Sequence, residues 1–212
     1  MRILLLTFGF SLLVVGAYSL YGNLLPQRRG EVPPEPKALS MEQIESMSTA
    51  ELSAKGASLI FYDPKSMTGL GKGLCPMCHG FRPDSSNEVG PNLFGITKRA
   101  AERIKEARYS DPKASMQWES FPGSGRATTA DEYIAESQIC TSCYVVEGYG
   151  IKGSHDREAG GPDLNRKPIS LTIAEMIAIH TYLYINDGEK PPDPKKLRAA
   201  YEKFIPISER RY

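Results

Sequence analysis

The sequence has almost no net charge. Its 26 lysines and arginines are offset by 25 aspartates and glutamates, for a formal charge of +1. No overall field therefore directs the chain to nucleic acid or to an anionic surface. Cysteine is scarce, with four in 212 residues. The four are not scattered as in a disulfide framework but form two pairs of identical spacing, Cys75 with Cys78 and Cys140 with Cys143. No set of residues presents a general base, a nucleophile or a substrate pocket, which argues against hydrolytic or transfer chemistry by side chains alone. What the chain has in quantity is breakers, 16 prolines and 19 glycines. They imply short elements joined by substantial loops, in a chain long enough for one or two small domains.

Charge is also missing from one long stretch. After Met1 and Arg2, the run ILLLTFGFSLLVVGAYSLYGNLL carries no charge through Leu25. About twenty apolar residues suffice to span a bilayer. A cleaved signal peptide is the competing reading, given one positive charge at the start and the small residues Ala17 and Ser19. The length of the run favours a retained anchor over residues 1–25. Arg28 and Arg29 follow it while Arg2 and the terminal amine precede it, so charge bias does not orient it. Residues 26–47 then read as a proline-rich tether, a semi-rigid spacer.

The chemistry lies in LCPMCHG, residues 74–80. A C-x-x-C-H sequence reads as a c-type haem attachment. The thiols of Cys75 and Cys78 are spaced to add across two vinyl groups, and His79 follows at once, where its imidazole can ligate iron. A zinc half-site or a redox C-x-x-C is the competing reading. Zinc needs four ligands, and the second cysteine pair could supply the other two.

Twelve residues past Cys78 comes GPNLFG, Gly90 to Gly95. With this segment the chain resembles the class I cytochrome c family, in which a short apolar P-x-L segment follows the haem-binding motif. The resemblance implies an all-α fold, with cytochrome c-like helical domains around covalently bound haem, preceded here by an N-terminal transmembrane helix. It implies that the Pro91 carbonyl accepts a hydrogen bond from the His79 ring, which would fix the tautomer and the ring plane. It also implies an N-terminal and a C-terminal helix crossing closely at a glycine. The first helix matches AELSAKGASLIFYD, opened by a Ser48/Glu51 capping box, with Leu52, Leu59, Ile60 and Phe61 as apolar positions. Its Gly56 should cost about 1 kcal/mol relative to alanine. The second matches SLTIAEMIAIHTYLYIND, capped by Thr172 and Glu175, with Met176, Ile179, Tyr182 and Leu183 on one face.

In that family a methionine in the loop before the last helix caps the far side of the iron. The corresponding loop here, IKGSHDREAGGPDLNRKPI, has none. Met116, beyond the helical stretch TKRAAERIKEARY, and His155, in the loop itself, are the candidates. His180 sits among apolar residues of the last helix and reads as structural.

The second cysteine pair repeats part of the first. CTSCY and a following GPDLN match CPMCH and GPNLFG, at offsets of 65 residues for the cysteines and 71 for the Gly-Pro pairs. A helix headed by Thr129 and Glu132, TADEYIAESQIC, precedes it. A weak repeat of this kind favours a second haem module at Cys140 and Cys143, with an iron ligand from Tyr144, His155 or His180. The opposing reading is a disulfide, since exported thiols oxidise, although so small a loop gains little from closure. Both readings stay open at this point.

The chain therefore divides into an anchor or signal peptide (1–25), a tether (26–47), a haem c module (48–128), a second cytochrome-like half (129–188) and a C-terminal extension (189–212). In the extension, KKLRAAYEKF reads as a short basic helix, either solvated or docking onto an acidic redox partner. Haem c is attached outside the cytoplasmic membrane, so the anchor would run N-in with the haem domain in the periplasm. The expected function is electron transfer as a subunit or partner of a respiratory or photosynthetic membrane complex, not catalysis by the chain alone. The alternative is a haem with an open or Tyr144-ligated site for small-molecule catalysis or sensing.

Overall fold

A computed structural model describes residues 38–61, 70–85, 89–111 and 125–212, all within one unit, Pro36–Tyr212. The expected anchor, the start of the tether and Met116 lie outside the described residues. Six α-helices are present there: α1 (Met41–Ser46), α2 (Thr49–Ile60), α3 (Ile96–Arg103), α4 (Ala130–Ile139), α5 (Ile173–Asn186) and α6 (Pro194–Phe204). Short 3-10 turns occupy Cys75–Met77 and Ile207–Glu209. Among the described residues there is no strand, only an isolated antiparallel bridge from Gly150 to Ala159. The fold is all-α. No described helix is long and apolar enough to cross a membrane.

Local sequence explains where the main helices start. The Ser48 hydroxyl accepts from the Glu51 amide at 3.3 Å, and the Glu51 carboxylate accepts from the Ser48 amide at 2.8 Å. Thr172 and Glu175 make the same reciprocal pair at 3.2 and 2.9 Å, so orphan donors at both helix starts are satisfied. Thr129 caps α4 by accepting from the Glu132 amide at 3.2 Å. Glu132 itself turns away to the Thr128 amide at 2.7 Å.

Helices α2 and α5 form the central crossing, and Gly56 is the reason they can. A Cβ at Gly56 would stand 2.1 Å from the Ala178 carbonyl oxygen and 2.9 Å from Tyr182 Cβ. Only glycine permits that approach. Around the crossing Leu52, Leu59, Ile60, Met176, Ile179 and Leu183 are buried, as their spacing predicts. Phe61 is 37% exposed and closes the edge, its ring 5.6 Å from Tyr182 and 4.8 Å from Phe81.

Three boundaries differ from the sequence expectation. The end of the tether, residues 40–46, is helical: Ser40 and Gln43 form a third capping box, and Met41 and Ile44 are buried. The helix expected over 97–109 stops at Arg103 and continues as turns. The C-terminal segment is not a surface extension, because α6 packs against α4 and α5 with Leu197 and Tyr201 completely buried. Its apolar spacing at 197, 200, 201 and 204 is that of an amphipathic helix. Three of its cations are engaged within the chain, Lys196 with Asp131 at 3.1 Å, Lys203 with Glu132 at 2.7 Å and Arg198 with Glu202 at 2.6 Å.

Candidate functional site

The site is built on the connection between α2 and α3. The Gly73 amide donates to the Leu59 carbonyl at 2.8 Å, pinning the chain to the end of α2. Leu74 takes a left-handed conformation (φ 53°), and the Cys75–Met77 turn follows. The amides of Cys78 and His79 both donate to the Cys75 carbonyl, at 3.1 and 3.0 Å. This tight turn places both thiols and the imidazole on one stretch of five consecutive residues. Cys75 and Cys78 are half-buried and not bonded to each other. Burial pushes the Cys75 thiol up to about 12. It is therefore a neutral thiol at pH 7.

The His79 ring is held from two sides. Its Nδ1 donates to the Pro91 carbonyl at 2.8 Å. That bond fixes the tautomer and leaves Nε2 as the nitrogen with a free lone pair. Against one edge of the ring lies Gly90, where a Cβ would stand 2.5 Å from His79 Cε1. The Gly90 amide donates to the Cys78 carbonyl at 2.9 Å, and the Leu93 amide to the Gly80 carbonyl at 2.8 Å, so the GPNLFG loop is stitched back onto the cysteine turn. Burial lowers the His79 pKa and favours the neutral, ligating form. Leu74 and Leu93 are partly buried alongside.

These features suit a covalently held haem. Two unbonded thiols lie two residues apart, a neutral imidazole has one nitrogen committed and one free, and apolar side chains flank them. Among the described residues no group of three or more His, Cys, Asp and Glu is placed to hold a metal ion. No family model matches the chain.

Residues that the sequence reading missed hold the loop in position. Asp187, just after α5, accepts from the Gly95 amide at 2.6 Å and the Thr97 amide at 2.9 Å. It thereby places an anion at the start of α3. Arg99 reaches back from α3 to the carbonyls of Phe94 (2.6 Å) and Asn92. One turn further, Arg103 is buried and donates to the Tyr133 hydroxyl at 3.2 Å. An arginine pair four apart directly after GPNLFG was the available signal, but helix patterning alone assigns such residues to solvent.

The second cysteine pair is different. Cys140 and Cys143 form a disulfide, with S–S 2.02 Å and Cα–Cα 5.3 Å. Their sulfurs are bonded to one another, so neither is a thiol for thioether formation or for zinc. Of the two readings left open for this pair, the structure shows the disulfide. Tyr144 is also unavailable as an iron ligand. Its hydroxyl donates to Glu106, and its ring packs edge-on to Tyr109 and Tyr133 with centroids 5.1 and 6.2 Å away.

His155 is exposed, in a left-handed conformation (φ 54°), on a loop organised by the neighbouring Asp156. The Asp156 carboxylate accepts from the Gly148 and Gly150 amides, both at 2.9 Å. His180 is completely buried, as a structural histidine would be. Its Nδ1 lies 3.2 Å from the Tyr201 hydroxyl, and Nε2 lies 3.8 Å from Asp131. Burial pushes it down to about 4, so it is neutral at pH 7.

Proposed function

We propose that this chain is a c-type cytochrome that transfers electrons, with one haem c at Cys75 and Cys78 and His79 as the protein's ligand to iron. On this reading residues 1–25 anchor it to the cytoplasmic membrane, and the haem domain works in the periplasm as a subunit or partner of a respiratory or photosynthetic complex. The observation that carries the reading is the 2.8 Å bond from His79 Nδ1 to the Pro91 carbonyl. That bond aims the remaining ring nitrogen and makes it more basic, as an iron-ligating histidine requires.

Haem c, when bound, supplies one-electron chemistry. The chain's own residues do the rest. Cys75 and Cys78 provide covalent attachment, and the turn from Leu74 to His79 keeps thiols and imidazole in one fixed cluster. Gly90 and the Pro91 carbonyl keep the ring of His79 from turning, which limits rearrangement when the charge at the site changes. Met116 is the remaining candidate for the far-side ligand, since His155 is exposed and Tyr144 is engaged with Glu106.

The test is the intact mass of the purified protein with a pyridine haemochrome count. One haem per chain is expected; none would sink the proposal. A second reading, a site open to small molecules, follows if Met116 is not a ligand. Binding of CO by the reduced protein would favour it, and a low-spin spectrum unchanged by CO would exclude it.

A further inference from the structure

The Cys140–Cys143 bridge does little as a staple. It joins residues three apart, and closing so short a loop takes little freedom from the unfolded chain. The segment is also held without it. The Cys140 amide donates to the Glu136 carbonyl at 2.8 Å, and the Cys143 amide to the Cys140 carbonyl at 3.0 Å. Thr141, between them, donates from its amide to Asp163 at 2.9 Å and from its hydroxyl to the Gly161 carbonyl at 2.8 Å. None of these bonds involves a sulfur. Breaking the bridge would therefore leave two thiols side by side in a folded turn, ready to close again.

The two sulfurs are unequally placed. Cys140 lines a cavity of about 260 Å³ formed by the end of α4 and the 158–167 loop. Cys143 is 3% exposed and is not part of that wall. Arg166 and Lys167 line the cavity together with Glu158 and Asp163. Two cations balance two acids there, so the cavity does not repel a thiolate, the attacking form in thiol–disulfide exchange.

We propose that Cys140 and Cys143 are a reversible thiol–disulfide couple, attacked at Cys140 by a dithiol entering this cavity. A thiolate of that dithiol bonds to the Cys140 sulfur. The S–S bond breaks, and its electron pair leaves on Cys143, which takes up a proton. The second thiol of the reductant gives up its proton and attacks its own partner sulfur in the mixed disulfide. Cys140 leaves as a thiolate and is protonated in turn. The chain gains two electrons and two protons, and the dithiol becomes a disulfide. In reverse, Cys140 makes the first attack and Cys143 resolves the mixed disulfide. This couple is independent of the haem proposed at the first pair.

The test follows thiols on the full-length holoprotein by maleimide labelling and intact mass. Dithiothreitol and reduced thioredoxin, a small dithiol and a protein one, are supplied separately. With at least one of them, both bridge cysteines should become thiols at no less than about one tenth of the rate given by dithiothreitol in concentrated urea. The helical circular dichroism should hold, and oxidised glutathione should restore the bridge. The reductant that acts identifies the source of the dithiol. Slower opening with both, loss of the fold on opening, or failure to reclose overturns the proposal. Single-cysteine variants test where the attack falls. The Cys140 thiol of Cys143→Ser should react with maleimide at least about tenfold faster than the Cys143 thiol of Cys140→Ser, and a smaller ratio overturns attack at Cys140. Should either variant not fold, the wild-type rates decide alone. Labelling of Cys75 and Cys78 before any reductant is added would show a chain without covalent haem. That result overturns the cytochrome reading and leaves the couple standing.

Discussion

The two Cys-x-x-Cys segments begin alike and end in different chemistry. In both, a downstream Gly-Pro-Asx-Leu loop folds back onto the cysteine turn. At the first, the Pro91 carbonyl takes the His79 proton at 2.8 Å. At the second, the Asp163 carboxylate takes the Thr141 amide at 2.9 Å, and the Gly161 carbonyl takes the Thr141 hydroxyl at 2.8 Å. The repeat seen in the sequence is therefore real as a loop arrangement. What differs is the residue after the second cysteine. His79 presents a nitrogen to be aimed, and the cysteines stay unbonded. Tyr144 turns into a cluster with Tyr109 and Tyr133, and its cysteines close on each other. Similar backbone scaffolds thus leave two free thiols and an aimed imidazole at one place and a closed disulfide at the edge of a buried core at the other.

Breaking the first segment should have the largest effect. Replacing Cys75 and Cys78 together by alanine should abolish covalent haem, read as a chain mass without the cofactor. The converse substitution, Tyr144→His, should add none, because Cys140 and Cys143 are bonded to each other. A second haem in that variant would show that histidine alone decides.

The glycines give the next contrast. Gly90→Ala would put a methyl 2.5 Å from His79 Cε1, and should cost about 3 kcal/mol in urea unfolding by overpacking. At Gly161, nothing lies within 4 Å of the added methyl, so Gly161→Ala should stay within about 0.5 kcal/mol of wild type. Equal costs at the two positions would contradict the packing described for them.

Acid should act on the second half first. His180 lies between α5 and the α4–α6 pair, with a folded pKa of about 4 against an ordinary 6.5. The unfolded chain takes up this proton first, so the contribution of neutral His180 is complete above pH 6.5 and is lost as the pH falls toward 4. The full loss amounts to at most about 3 kcal/mol. Glu136, whose carboxyl burial raises, acts in the opposite direction, so the comparison must be between wild type and His180→Gln. Denaturant midpoints measured from pH 7 to 4 should fall less steeply in the variant. Parallel slopes would show that His180 takes no part.

A smaller effect than that of His180 belongs to the disulfide. Cys140→Ala with Cys143→Ala should leave the haem count unchanged and cost about 2 kcal/mol or less, because the closed loop is so short.

The legible parts of the fold are those set by near neighbours in the chain. The Ser48/Glu51 and Thr172/Glu175 boxes, the Cys75–His79 turn and the bond from His79 to Pro91 involve residues at most twelve apart. Gly56 was legible for another reason, since the family resemblance implies a close helix crossing at a glycine, and the Gly56–Ala178 approach has that form. What could not be read involves distant partners. The charge of KKLRAAYEKF suggested a surface, yet Tyr201 is buried against Gln138 and Met176. Arg103 resembled any helix cation until Tyr133, thirty residues away, enclosed it. Nor could the spacing in CTSCY choose between haem and disulfide.

From the order of residues alone came an all-α chain, its main capped helices and a Cys-x-x-Cys-His turn, with a proline that the family resemblance supplied, because hydrogen bonds across a few residues have few alternatives. Packing between remote segments determined that Tyr144 faces a carboxylate, that the C-terminal helix is core and that Arg103 is buried against Tyr133. Burial and charge compensation depend on which segments meet in space, and only the folded chain fixes those meetings.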